Sequence, residues 1–300
     1  MQNVTPLAIA ALGLELIPAV LFGFAAERVG RSVRSWPAIA QICTPALLVA
    51  SYVLVSLSGH MFRWSWFALY AILPVAMAWL LLHAAQADAE QRGNWRDAVI
   101  LLVLGLAVDL RWFESAWPTG LRALNELFLV DAGLYGFLAI RNLSGTGFDF
   151  HLRWDDWKIG LRELALFAPI VIVLGIALGF IHPHKNLPGI GSVITYAEHA
   201  LILRWILIFF FTAIPEELFF RGWVQNLLER RTGRRAALVL ASIVFGLSHF
   251  NKRAAHFNWR YVILATIAGI FYGRAWRQQR RVPASTITHA TVDWLWGLWF

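Results

Sequence analysis

The sequence predicts an all-α fold: a polytopic bundle of about ten apolar transmembrane helices, eight at the least, and no β-barrel. Of 300 residues, 59% are hydrophobic and only 15% are charged, too few polar groups to cover a soluble chain of this size. Several apolar runs approach the roughly 20 residues that a helix needs to cross the hydrocarbon core. Period-two alternation between hairpin turns, the mark of a membrane barrel, does not occur. The 16 Trp fit the same picture, because indole rings collect at the lipid–water boundary.

The long runs lie near 4–24, 37–57, 64–84, 121–140, 160–180, 195–214 and 258–277, with shorter ones near 98–110, 236–250 and 283–300. No basic residue precedes the first run, and the first in the chain is Arg28, so it reads as a retained span rather than a cleaved signal. Glu15 and Pro18 interrupt its apolar character. The sole cysteine, Cys43, excludes an internal disulfide and a cysteine-based metal site. Asp109, Arg111 and Glu114 flank the 98–110 run and mark its end, whereas Glu126 and Asp131 fall inside 121–140 and receive no role. The stretch "RNLSGTGFDFHLRWDDWK" (141–158) is polar and contains glycine, and it reads as a linker. It divides residues 1–158, N-terminal helices without a motif, from a C-terminal region at 159–300. Glu198, His199 and Arg204 stand near the start of the 195–214 run and are expected to snorkel to its edge.

The net charge of +8 comes from arginines between the apolar runs, not from a basic stripe on a soluble module, so nucleic acid is not an expected partner. If all ten runs cross, alternate loops hold 16 against 7 Lys or Arg. The richer set is expected on the cytoplasmic side, with both termini outside.

Chemistry concentrates in three places. "PEELFFR" puts Glu216, Glu217 and Arg221 against the run "LILRWILIFFFTAI". Pro215 followed by two acids is an ordinary helix start, and Glu217 with Arg221 is an ordinary i,i+4 ion pair. Against that reading, ionisable groups inside a bilayer are functional by default. "SIVFGLSHFN" carries His249, with Phe245 one turn before it, and "STITHATVDWLWGLWF" carries His289 and Asp293 on one helical face. A lone His on an apolar face is commonly a packing residue. Three apolar helices each offering a proton-handling group are harder to explain that way. Glu216 lies 14 residues before Arg230 and His249 lies 14 after Arg235, so both stand roughly 21 Å from one basic loop. His289, eight residues beyond Arg281, is roughly 12 Å in, a weaker match.

In this order on successive helices, Glu216-Glu217-x-x-x-Arg221, Phe245-x-x-x-His249 and His289-x-x-x-Asp293 resemble the motifs of the CPBP family of intramembrane proteases. That family is also called the CAAX protease, bacteriocin-processing or abortive-infection family and is related to the Ras converting enzyme. The resemblance covers roughly residues 195–300. Asp293 stands where Ras converting enzymes carry Asn, which points to a bacterial-type member in an inner membrane. The resemblance implies an intramembrane endopeptidase core within 159–300, acting on a membrane-anchored or lipidated protein or peptide.

The implied roles are Glu216 as the base that activates water, aided by His249. His289 and Asp293 would stabilise the oxyanion, with Glu217, Arg221 and Phe245 supporting them. The family also carries the label metalloprotease. A zinc site of Glu216, His249 and His289 would have an open fourth position. The missing His-Glu-x-x-His places the metal-free glutamate route ahead of it, because one Glu cannot easily be both ligand and sole base. A proton-coupled secondary transporter and a catalytically silent membrane scaffold are the competing expectations.

Overall fold

The computed structural model of the chain describes residues 5–182, 198–252 and 256–299. These residues form ten helical stretches and no strand. They are α1 (Pro6–Arg34), α2 (Ala38–Ser58), α3 (Trp64–Ala87), α4 (Trp95–Asp109), α5 (Thr119–Ile140), α6 (Trp154–Ala177), α7 (198–232), α8 (Arg234–Leu247), α9 (Trp259–Gln279) and α10 (Val282–Trp299). Each apolar run of the sequence has its helix, and the chain is an integral membrane protein.

Among the described residues five helices, α1, α2, α3, α5 and α6, are long and apolar enough to cross a bilayer. The run 195–214 begins outside the described residues, and the run 258–277 is not among the five, its helix carrying Arg260, Arg274 and Arg277. At 15 and 14 residues, α4 and α8 are shorter than a span requires. Helix ends also differ from the runs. α6 begins at Trp154, inside the stretch read as linker, because Asp155 and Asp156 favour its N-terminus and Asp156 Oδ2 accepts the Arg153 backbone N–H at 2.8 Å. The loop-charge reading of orientation draws on 181–194 and 251–260, which lie partly outside the described residues.

The chain divides into two compact units, Met1–Ser144 with Asp149–His151, and Gly145–Phe148 with Leu152–Phe300. In the N-terminal unit Thr5 caps α1, its hydroxyl accepting the Ala8 N–H at 3.1 Å, with Pro6 at the first helical position. Asn94 and Asp97 form a capping box on α4. Asp97 also takes Arg141 Nε at 3.0 Å, and Arg141 pairs with Asp88, so a fully buried guanidinium meets two carboxylates. Glu114 pairs with Arg111 and Arg122 at 3.7 and 3.4 Å, as expected of charges that mark a helix end.

In the C-terminal unit α9 packs against α6, α8 and α10, and α7 against α8 and α10, with a core of Phe167, Phe220, Phe245, Phe271 and Tyr272 with Ala265 and Ala268. Gly233, at φ 81°, separates α7 from α8, a conformation that side chains with a Cβ rarely adopt. That one-residue break folds α8 back along α7. Small residues let α8 and α9 approach: a Cβ on Gly246 would collide with Thr266 Oγ1 and stand 2.6 Å from the Val262 carbonyl. Asp156 grips Arg281 with both oxygens, at 2.8 and 2.9 Å, which ties the start of α6 to the start of α10.

Candidate active site

Pro215 does not open a helix from a loop. It sits inside the continuous stretch α7, where the backbone alternates between two ladders: α-helix at Glu198–Ile208, π-helix at Phe209–Ala213, α-helix at Ile214–Glu217, π-helix at Leu218–Gln225, and α-helix at Asn226–Thr232. A proline cannot donate to the preceding turn and its ring crowds the carbonyl there, so the ladder widens just before it. Glu216 and Glu217 thus lie between two π segments, in the kind of distortion that recurs at functional sites.

The two glutamates have opposite surroundings. The Glu217 side chain is fully buried and doubly held: Oε2 accepts Arg221 Nε at 3.0 Å and Oε1 meets His289 Nδ1 at 2.9 Å. Glu216 keeps 27% of its side chain exposed. Its Oε1 is 4.0 Å from Lys252 Nζ and its Oε2 is 3.9 Å from His289 Nε2. That Oε2 is buried and receives no hydrogen bond from the described residues. Glu217 is therefore a structural anchor of the imidazole and Glu216 an available acceptor.

Each histidine is oriented by its own Nδ1. His249 follows the end of α8, with Nδ1 2.9 Å from the Phe245 carbonyl. A carbonyl only accepts, so Nδ1 carries the proton and, in the neutral ring, Nε2 keeps its lone pair. His289 has Glu217 at Nδ1 and faces Asp293 Oδ2 at 3.5 Å from Nε2. Its ring stacks on Tyr272 with centroids 4.7 Å apart. Phe245 ties these parts together. Its ring centroid is 4.9 Å from that of His249 and 5.7 Å from that of His289, and the Arg221 guanidinium lies over it at 5.1 Å.

His249, His289, Asp293 and Phe245 line a cavity of about 280 Å³. Glu216 is not part of its wall and meets the site through His289 and Lys252, while Glu216, Lys252 and His289 all lie within electrostatic range of His249. Three helices and the turn after α8 thus bring the sequence's candidates into one neighbourhood. The shallow depth expected for His289 does not keep it from Glu216. Arg204 is exposed, borders the cavity and reaches the Gly297 carbonyl at 3.4 Å. The side chains of Glu198 and His199 lie outside the described residues.

Sequence reasoning missed Lys252, Tyr261 and Tyr272. Tyr261, Ala265, Ala268 and Tyr272 all line the cavity at helical spacing on α9. That stripe was available in the sequence, hidden because aromatic and small residues on an apolar helix resemble core.

Among the described residues no group of three His, Cys, Asp or Glu is disposed to hold a metal ion. The label metalloprotease has no support here.

Residues 198–295 match the family model described as Rce1-like, type II CAAX prenyl endopeptidase Rce1-like. The match spans Glu216, His249 and His289. No curated protein and no solved structure matches the chain.

Proposed function

We propose that this chain, a CPBP/CAAX protease family member through its Rce1-like region at residues 198–295, is an intramembrane endopeptidase. In this reading water, activated by Glu216 and His249, attacks a peptide carbonyl of a membrane-anchored or lipidated substrate. One observation carries it: Glu216 Oε2 is a buried carboxylate oxygen without a donor among the described residues, 3.9 Å from the Nε2 of His289, which lines one cavity with His249. That separation is too long for a direct hydrogen bond and leaves Glu216 free to accept from water.

Glu216 takes one proton from the water as its oxygen adds to the carbonyl carbon, and that proton later goes to the departing amine. The lone pair on His249 Nε2 holds the second hydrogen of the water. His289, fixed by Glu217 at Nδ1, turns an Nε2–H toward the developing oxyanion, and Asp293 sustains the charge on that ring. Arg221 keeps Glu217 ionised in position. Phe245 sets the spacing of the two imidazoles. No step runs through a metal. A bacterial inner membrane is the expected setting, and the polytopic body fits a substrate that approaches within the bilayer.

The test is cleavage of a membrane-peptide library by the purified full-length chain in nanodiscs, with and without chelator. Glu216→Gln should lose roughly 10²–10⁴-fold in rate, and His249→Ala a comparable amount, both with unchanged melting temperature. Undiminished cleavage in both variants ends the assignment, and loss on chelation alone ends the metal-free route.

A further inference from the structure

In the N-terminal unit, Glu15 on α1 and Asp131 on α5 are each 1% exposed, and their carboxyl groups lie within hydrogen-bonding reach of each other. Both line a cavity of about 370 Å³. Its other walls are mostly hydrocarbon, from Leu14, Ile17, Pro18, Pro45 and Leu48 among others. Three backbone irregularities border it: Pro18 within α1, the 3-10 turn Thr44–Leu48, and the π segment Tyr135–Ile140. Pro18 has no N–H, so the Leu14 carbonyl, on the cavity wall, loses its usual donor four residues on.

The lining is short of donors. Thr44 and Tyr135 spend their hydroxyl protons on the Ala40 and Gln41 carbonyls, both at 2.7 Å. Ser51 Oγ reaches both Glu15 and the Leu48 carbonyl, the latter at 2.9 Å, and its single proton serves one of them at a time. By distance and angle both Glu15 oxygens and Asp131 Oδ2 are buried without a hydrogen-bond donor among the described residues. Among the described residues that line the cavity there is no Lys, Arg or His. Two adjacent buried acids at an apolar pocket need a proton or a cation between them. The cavity is roughly ten times the share of liquid volume that one water takes, about 30 Å³, and among the described residues no third carboxylate joins the pair to hold a metal ion.

We propose that this cavity binds a compact lipophilic ammonium ion, its N–H groups between Glu15 and Asp131 and its hydrocarbon body against the apolar walls. An anionic headgroup would meet the carboxylates, and a neutral ligand would leave them unpaired.

The probe is 1-adamantylammonium, titrated into the full-length chain in nanodiscs of neutral lipid, with 1-adamantanol as its uncharged counterpart. Saturable one-to-one binding is expected, weakened at least tenfold in Glu15→Gln and in Asp131→Asn, with the alcohol failing to compete. The comparison of amine with alcohol uses the unaltered protein and so does not depend on either variant folding. Absence of saturable binding overturns the proposal and leaves the pair as acids that share a proton. Equal competition by the alcohol, or undiminished affinity in both variants, overturns it too.

Discussion

Glu217 in the C-terminal unit and Asp131 in the N-terminal unit are both buried carboxylates on helices with a π distortion close by in sequence. Glu217 is met by Arg221 at 3.0 Å and His289 at 2.9 Å. Asp131 is met by a second acid, Glu15. The C-terminal unit repeats the first pattern. Asp156 holds Arg281, Glu163 holds Arg162 and Arg274 at 2.9 and 3.1 Å, and Glu229 holds Arg280 at 2.6 Å. The N-terminal unit follows it at Arg141 and departs from it at Glu15. A chain that pairs buried acids this consistently shows, where the pairing stops, either strain or a place for a cation from outside.

The largest effect that tests this contrast comes from removing a buried guanidinium. Arg221→Met should cost about 3–5 kcal/mol, because buried Glu217 would lose its guanidinium and keep only His289, and Arg141→Met should cost a similar amount through Asp97. A thermal unfolding comparison checks both, and near-neutral results would mean that these pairs contribute little. Next in size, Glu15→Gln should stabilise the ligand-free chain, by about 1 kcal/mol, since an unpaired buried acid becomes neutral. A fall in melting temperature would show that the pair is already satisfied.

The smallest effect belongs to Asp88, just beyond α3. Burial works against its charge, but the Arg92 and Gly93 backbone N–H groups at 3.0 and 2.8 Å, together with Arg141, outweigh it and hold the carboxyl below its ordinary value of 3.8. A depressed carboxyl contributes stability that is present above that ordinary value and is lost as pH falls through the lower folded one. Asp88→Asn should therefore lower the melting temperature at pH 7 by no more than about 2 °C and flatten its fall below roughly pH 4. An unchanged acid limb would show that Arg141 gains nothing from Asp88.

Most of the helical architecture was legible in the sequence, because a segment in lipid must satisfy its own backbone and so announces itself by length and hydropathy. Helix ends were less so: α6 starts at Trp154 rather than near 160, since a charged first turn is invisible to a search for apolar residues. Candidate acids and imidazoles were legible for the same reason as the helices, as polar residues stand out against hydrocarbon. Their division of labour was not. Glu216 and Glu217 are adjacent and chemically identical, and only the packing of α10 against α7 buries one on His289 and leaves the other 27% exposed. Glu15 and Asp131, separated by more than a hundred residues, could be noticed singly but not as a pair.

The sequence by itself determined a multi-helical membrane chain with three motif-bearing segments, because hydropathy and spacing are local properties. The tertiary structure decided which carboxylate is anchored, which one is open, and which acids meet without a cation. Those outcomes depend on distances between helices, and a local pattern does not contain them.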